Sequence, residues 1–164
     1  VHSLLFNYGQ VHVKELEYAR RHCAKTGTEW TEVELWKVKH LFSKSALTDG
    51  KGGLVVPNRN AVFLHIAVSL AISNGAELVT YACNKDDREM FPDCRPEFVD
   101  AMNATLKAQG LEIEICAPYG ALTKRQIVQH AREHGWPFDD SLSCYLGTGC
   151  GKCDACKKRE EACA

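Results

Sequence analysis

The sequence predicts an α/β fold, a mostly parallel sheet with helices on both faces, and three observations predict it. Apolar runs of strand length alternate with stretches of helical periodicity along most of the 164 residues. A strand, a helix and a second strand fit within residues 3–35, which is a βαβ unit. Glycine-bearing stops then separate the later segments, so that each strand is followed by a helix, the order that yields parallel pairing.

Taken in order, Ser3-Leu4-Leu5-Phe6 is a buried strand ended by Asn7-Tyr8-Gly9-Gln10. Val13, Leu16, Ala19 and Cys23 recur at helical spacing up to Thr26-Gly27. Residues 30–35 alternate as a strand around Trp30, Val33 and Leu35. Residues 37–56 read as a loop, and Thr48-Asp49-Gly50-Lys51-Gly52-Gly53 within it is turn-forming and expected to be mobile. A helix over 60–74 is expected to bury Val62, Ile66, Ser69, Ala71 and Ile72. Residues 78–82 follow as a buried strand, 96–109 as an amphipathic helix stopped by Gly110, 111–116 as a strand, and 123–134 as a helix closed by Gly135. The length suits one domain, residues 1–164.

Hydrophobic content of 45% with 25% charge is ordinary for a globular chain and argues against disorder. A net charge of -1 and a pI near 6.7 give no global attraction to nucleic acid or an anionic membrane. No run of about 18 apolar residues occurs, as a membrane span would need. Val1-His2-Ser3-Leu4-Leu5-Phe6 is too short for a signal-peptide core, so a cytoplasmic location is expected.

Nine cysteines are present, and their distribution is informative. Cys23, Cys83, Cys94, Cys116 and Cys163 are scattered, whereas Cys144, Cys150, Cys153 and Cys156 fall within thirteen residues as C-x5-C-x2-C-x2-C. Such spacing brings soft ligands to one point, and Gly147, Gly149 and Gly151 supply the positive-φ positions that tight thiolate turns use. Zinc held by residues 143–159 is the expectation, with disulfides or unrelated surface thiols as the alternatives. Four protein sulfurs leave no open coordination position, so the metal's role would be structural.

Chemistry is expected at the carboxyl ends of the strands, where α/β sheets bind ligands. Polar groups collect there in Tyr8-Gly9-Gln10-Val11-His12, in Pro57-Asn58-Arg59-Asn60, and in Cys83-Asn84-Lys85-Asp86-Asp87 through Phe91-Pro92-Asp93-Cys94-Arg95. Arg59 beside a helix N-terminus suits phosphate oxygens, or else Asn58 or Asn60 caps the helix and Arg59 is solvated. Asp93 and Arg95 either close a turn as a pair or act on a ligand, the carboxylate reading a donor-rich heterocycle edge and the arginine gripping an acidic group. His12 is a proton shuttle, a nucleotide contact or structural. His2, His22, His40, His65, His130 and His134 lack ligand spacing and are structural.

Together these motifs carry a resemblance. Tyr8-Gly9-Gln10, Pro57-x-Arg59-Asn60, Cys83-Asn84 through Asp87 to Phe91-Pro92-Asp93-Cys94-Arg95-Pro96-Glu97-Phe98, and Ser143-Cys144-Tyr145 with the terminal C-G-K-C-D-A-C-K-K-R resemble the 7-cyano-7-deazaguanine synthase family, in order across nearly the whole chain. The resemblance implies an adenine-nucleotide α-hydrolase-like fold of the PP-loop superfamily. It also implies ATP-dependent conversion of 7-carboxy-7-deazaguanine and ammonia to 7-cyano-7-deazaguanine, on the way to queuosine and related deazapurines. By the same resemblance Cys144, Cys150, Cys153 and Cys156 are the zinc ligands. Asp87, Phe91, Asp93, Cys94 and Arg95 form the deazapurine side; Tyr8, Gln10, His12, Arg59, Asn60 and Lys124 form the nucleotide side. ATP with Mg2+ is the co-substrate, and a homodimer is expected. No catalytic protein nucleophile is implied.

The family's S-G-G-x-D-S phosphate loop does not occur in these residues. The expectation is a chain without the family's first βα unit, either as part of a longer protein or through natural loss of that unit; if the protein naturally starts at Val1, no ATP-dependent nitrile formation is expected of it. A deazapurine- or nucleotide-binding zinc protein without catalysis is the second reading. A zinc-stabilised interaction module is the third, for which Lys157-Lys158-Arg159 would meet nucleic acid; three basic residues without interleaved aromatics are a poor signature for it.

Overall fold

The first strand, β1 (His2–Asn7), and β2 (Glu29–Glu34) pair in parallel with Ser3 opposite Trp30 and Phe6 opposite Val33. Parallel pairing requires a crossover, supplied by α1 (Lys14–Thr26), which buries Leu16 and Cys23 and ends where the Thr28 N–H bonds the Cys23 carbonyl. The computed structural model describes residues 1–50, 52–138 and 140–164, and these form two compact units. One comprises residues 1–57 with 128–164, the other residues 58–127.

In the first unit the stretch expected to be a loop does more than connect. Residues Trp36–Phe42 wind into 3-10 turns, and Phe42, Leu47 and Val56 are core side chains. Ser45, with no exposed surface, accepts from the Leu47 N–H and donates to the Gly53 carbonyl, and the Val11 N–H bonds the Leu47 carbonyl. The turn-forming expectation at Lys51 falls outside the described residues. The final helix, α5 (Asp154–Cys163), buries Ala162 and is tied down by Arg159, which donates to Ser141 Oγ and the Phe138 carbonyl.

In the second unit α2 (Arg59–Ser73) and α3 (Pro96–Ala108) pack with β3 (Leu78–Thr80) and β4 (Glu114–Cys116) around Leu64, Val68, Val79, Val99, Met102, Leu106, Ile113 and Ile115. Here the expected α2 face is corrected. Leu64 and Val68 are buried, whereas Ser69 and Ile72 are exposed. The helix is apolar nearly all round, so its periodicity did not select a face. The expected buried strand over 78–82 is likewise shorter, with Val79 its one buried ladder residue and Leu78 half exposed.

The described ladders give two parallel pairs, β1 with β2 and β3 with β4, rather than one continuous sheet. At β4 one edge is closed by a side chain. Asn103 on α3 donates to the Ile115 carbonyl and accepts from the Ile115 N–H, both at 2.8 Å. Alternate residues of a strand present their backbone groups to opposite edges, so this amide seals the edge that β3 does not use. The division between the units falls within α4 (Lys124–Glu133), whose first turn is closed reciprocally by Thr123 and Gln126. Among the described residues no helix is long and apolar enough to cross a membrane.

Candidate functional site

Between β3 and α3 the chain runs through two short 3-10 turns, Lys85–Asp87 and Pro92–Cys94. Their sequence dictates them. Asn84 caps the first by accepting from the Asp86 N–H, and Pro92 supplies a preset φ at the start of the second. The Phe91 N–H bonds the Asp87 carbonyl, and the Cys94 N–H bonds the Phe91 carbonyl. Phe91 itself is half-buried.

These turns aim their carboxylates differently. Asp86 accepts from the Lys124 backbone N–H at 2.8 Å, capping α4. Asp87 accepts from Lys124 Nζ at 2.7 Å through one oxygen and from Asn84 Nδ2 at 2.8 Å through the other. Asp93 Oδ2 accepts from Asn60 Nδ2 at 2.6 Å, and its Oδ1 has no protein partner among the described residues. Arg95 does not pair with Asp93. Its Nε and one terminal nitrogen donate to the carbonyls of Arg88 and Glu89.

Asn60 therefore does not cap α2, as one sequence reading had it; it spans two motifs. Its Nδ2 also donates to Tyr81 Oη at 3.0 Å, while its Oδ1 accepts from Arg59 Nε at 3.1 Å. Asn58 precedes the helix with φ 61° and makes no side-chain cap, so the first-turn amides of α2 are left without one. Asn58, Asn60, Pro92, Asp93, Arg95 and Phe98 line a cleft of 640 Å³. Burial, then the Asp93 and Cys94 charges, push the Tyr81 phenol up, and it stays protonated. Burial likewise raises the Cys83 thiol and pushes Cys94 up to about 11, so neither is a thiolate near neutral pH.

Tyr8, Gln10 and His12 belong to the first unit. Tyr8 is buried edge-on against Phe42 at 5.8 Å. Gln10 is buried with its amide engaged, accepting from the Tyr8 N–H and donating to the Phe6 carbonyl and Glu15. His12 pairs with Glu15 at 3.1 Å.

The four clustered thiols of the same unit lie within 4.8 Å of one another, with Cys150 and Cys156 sulfurs 4.0 Å apart. A tetrahedral thiolate site with bonds of about 2.3 Å has edges of about 3.8 Å, so the donor set fits a metal ion. Gly147, Gly149 and Gly151 all have φ near 66°, the left-handed values the turns need. Backbone N–H groups also prepare the sulfurs. Cys150 N–H donates to Cys144, and Cys153 N–H to Cys150, both at 3.4 Å. Such bonds, the Cys150 one foremost, bring the Cys144 thiol down to about 5. Cys156 is raised to about 12 mainly by burial, so a cation held by the four sulfurs would have to displace its proton.

Sequence reasoning missed Tyr81, read only as a strand residue, and the Asn60–Asp93 contact, which joins positions 33 residues apart. A phenol just past a strand's carboxyl end was the available signal.

Parallel strand pairs, a cleft bearing Asn60, Asp93 and Arg95, and four thiols that could hold a metal ion define an α/β protein with a carboxyl-side cysteine cluster. The family model for queuosine biosynthesis protein QueC matches residues 1–164. The chain is 37% identical to a 7-cyano-7-deazaguanine synthase of Colwellia psychrerythraea, covering 99% of this chain and 81% of that protein. It is 38% identical to one from Marinomonas sp. and 37% identical to one from Pseudoalteromonas atlantica, with the same coverage. The chain belongs to the QueC family of queuosine biosynthesis proteins.

Proposed function

We propose that this chain acts in the ATP-dependent conversion of 7-carboxy-7-deazaguanine and ammonia to 7-cyano-7-deazaguanine. A carboxylate is a poor electrophile, so adenylation supplies a leaving group for ammonia, and activation of the resulting amide oxygen permits loss of water to the nitrile. The protein's task is positioning and charge stabilisation. In this reading Asp93 Oδ1 accepts from the donor edge of the deazapurine, and the Arg95 guanidinium, held on two backbone carbonyls, faces its carboxylate. Phe91, Cys94 and Asp87 shape that side. Arg59, the uncapped α2 amides and Lys124 receive ATP phosphates with Mg2+, and Tyr8, Gln10 and His12 support the nucleotide side. Zinc held by the four thiolates is structural, since no position on it stays open to a substrate. The reading extends to a homodimer in the cytoplasm with the adenine-nucleotide α-hydrolase-like sheet of the family.

The observation that carries the reading is the 2.6 Å bond from Asn60 to Asp93, which joins the R-N and F-P-D-C-R motifs at the wall of one cleft. The test is incubation of the purified protein with 7-carboxy-7-deazaguanine, ATP, Mg2+ and ammonium, with the product followed by mass. Nitrile formation is expected; the absence of both turnover and deazapurine binding would overturn the reading. Binding without turnover would favour a non-catalytic deazapurine-binding zinc protein, the alternative kept alive because these 164 residues contain no S-G-G-x-D-S.

A further inference from the structure

Tyr81 stands behind the cleft wall and not among the residues that line it. Its oxygen accepts from Asn60 Nδ2 at 3.0 Å. The same Asn60 nitrogen donates to Asp93 Oδ2, so the hydroxyl reaches the Asp93 carboxylate through one amide.

The geometry of Asn60 explains what this does. Its amide is fixed at one end by Arg59 Nε and at the other by Tyr81, and the remaining N–H is aimed at Asp93 Oδ2. That bond occupies one oxygen of a carboxylate that lines the cleft and leaves Oδ1 without a protein partner among the described residues. Remove the phenolic oxygen and the amide loses an anchor, so the carboxylate is free to rotate away from one orientation. The ring meanwhile packs at 6.1 Å from Phe98, a contact that phenylalanine would keep. Because the phenol is held protonated by burial, the arrangement does not vary across neutral pH.

We propose that Tyr81 is a positioning residue which sets the direction of the Asp93 carboxylate and so makes the cleft selective for a heterocycle edge that presents hydrogen-bond donors. It rests on the functional reading above, in which Asp93 meets the deazapurine. A fixed acceptor rejects a ligand lacking the matching donor, because the buried group is then left unpaired, whereas a swivelling one discriminates less.

The experiment is calorimetric titration of wild type and Tyr81→Phe with 7-carboxy-7-deazaguanine and with the same compound lacking its exocyclic amino group. Wild type is expected to prefer the amino-bearing ligand, and Tyr81→Phe to lose about tenfold of that preference while binding the amino-free ligand within about twofold of wild type. Equal weakening toward both ligands, or an unchanged preference, would overturn the role of Tyr81 and leave the functional reading standing. Failure of wild type to bind either ligand would sink that reading and this one with it. Should Tyr81→Phe fail to fold, Asn60→Ser severs the same link with Tyr81 in place and must show the same selective loss; a preference retained in Asn60→Ser overturns the proposal.

Discussion

Lys124 Nζ lies 2.7 Å from Asp87 Oδ1, joining the turn after β3 to the head of α4 across 37 residues of sequence. The pair is partly shielded, with side chains 30% and 20% exposed. It holds in place the lysine assigned above to ATP phosphates.

Asp87→Asn and Lys124→Met are each expected to cost about 1 kcal/mol, and the double variant less than their sum, by a coupling of about 0.5–1 kcal/mol. Urea unfolding of the four proteins measures it. Strict additivity would show that the pair contributes no interaction energy.

Elemental analysis is expected to find one zinc per chain, retained by wild type and lost in Cys150→Ser. Chelation should lower the melting temperature by several degrees, because metal binding free energy is folding free energy. Release should also follow acidification, since protons compete for the sulfurs. Metal-free protein with an unchanged melting temperature would rule the centre out as a stabilising element.

Cys94 gives a pH signature at the alkaline end. Its thiol rises from 9.0 to about 11, chiefly through burial, with Asp93, Cys83 and Asp87 adding to the shift and the Tyr81 hydrogen bond opposing it. The native state therefore holds this proton more tightly than the unfolded chain. The associated stabilisation is complete below pH 9 and is lost as pH rises through 11. Cys94→Ala should flatten stability against pH across that window, and a profile identical to wild type would refute the assignment. Iodoacetamide should also alkylate native Cys94 about a hundredfold more slowly than an ordinary thiol at pH 8.

Asn103→Ala is expected to destabilise by about 2–3 kcal/mol, because Ile115, with 1% of its surface exposed, would keep an N–H and a carbonyl without partners. Chemical denaturation gives the value. A loss below about 0.5 kcal/mol would mean that another group takes over the edge.

Patterns written locally were legible in the sequence. Helical spacing located α1, α2, α3 and α4 to within a residue or two at most ends, and C-x2-C spacing located the sulfurs because the ligands and the turns that aim them are neighbours. The F-P-D-C-R stretch stood out as a candidate for the same reason. Contacts between distant residues were not legible. An almost uniformly apolar α2 hid which side meets the core, and turn chemistry at 48–53 hid Phe42, Leu47 and Val56 in a stretch read as loop. The resemblance put Asn60 beside Arg59 on the nucleotide side, and its bond to Asp93 is a contact no motif announced. No local rule couples position 60 to position 93.

The two compact units also differ in continuity. Residues 58–127 form a single uninterrupted segment, whereas the unit holding the thiols needs residues 1–57 and 128–164 together. During synthesis the inserted unit has all its partners once residue 127 has emerged, while β1 and β2 wait for the segment that carries Ala131, Cys144 and Ala162 into their unit. Closing the sulfur cluster within thirteen residues costs little chain entropy, so its formation draws only on residues 144–156 and is independent of when the two segments of that unit meet.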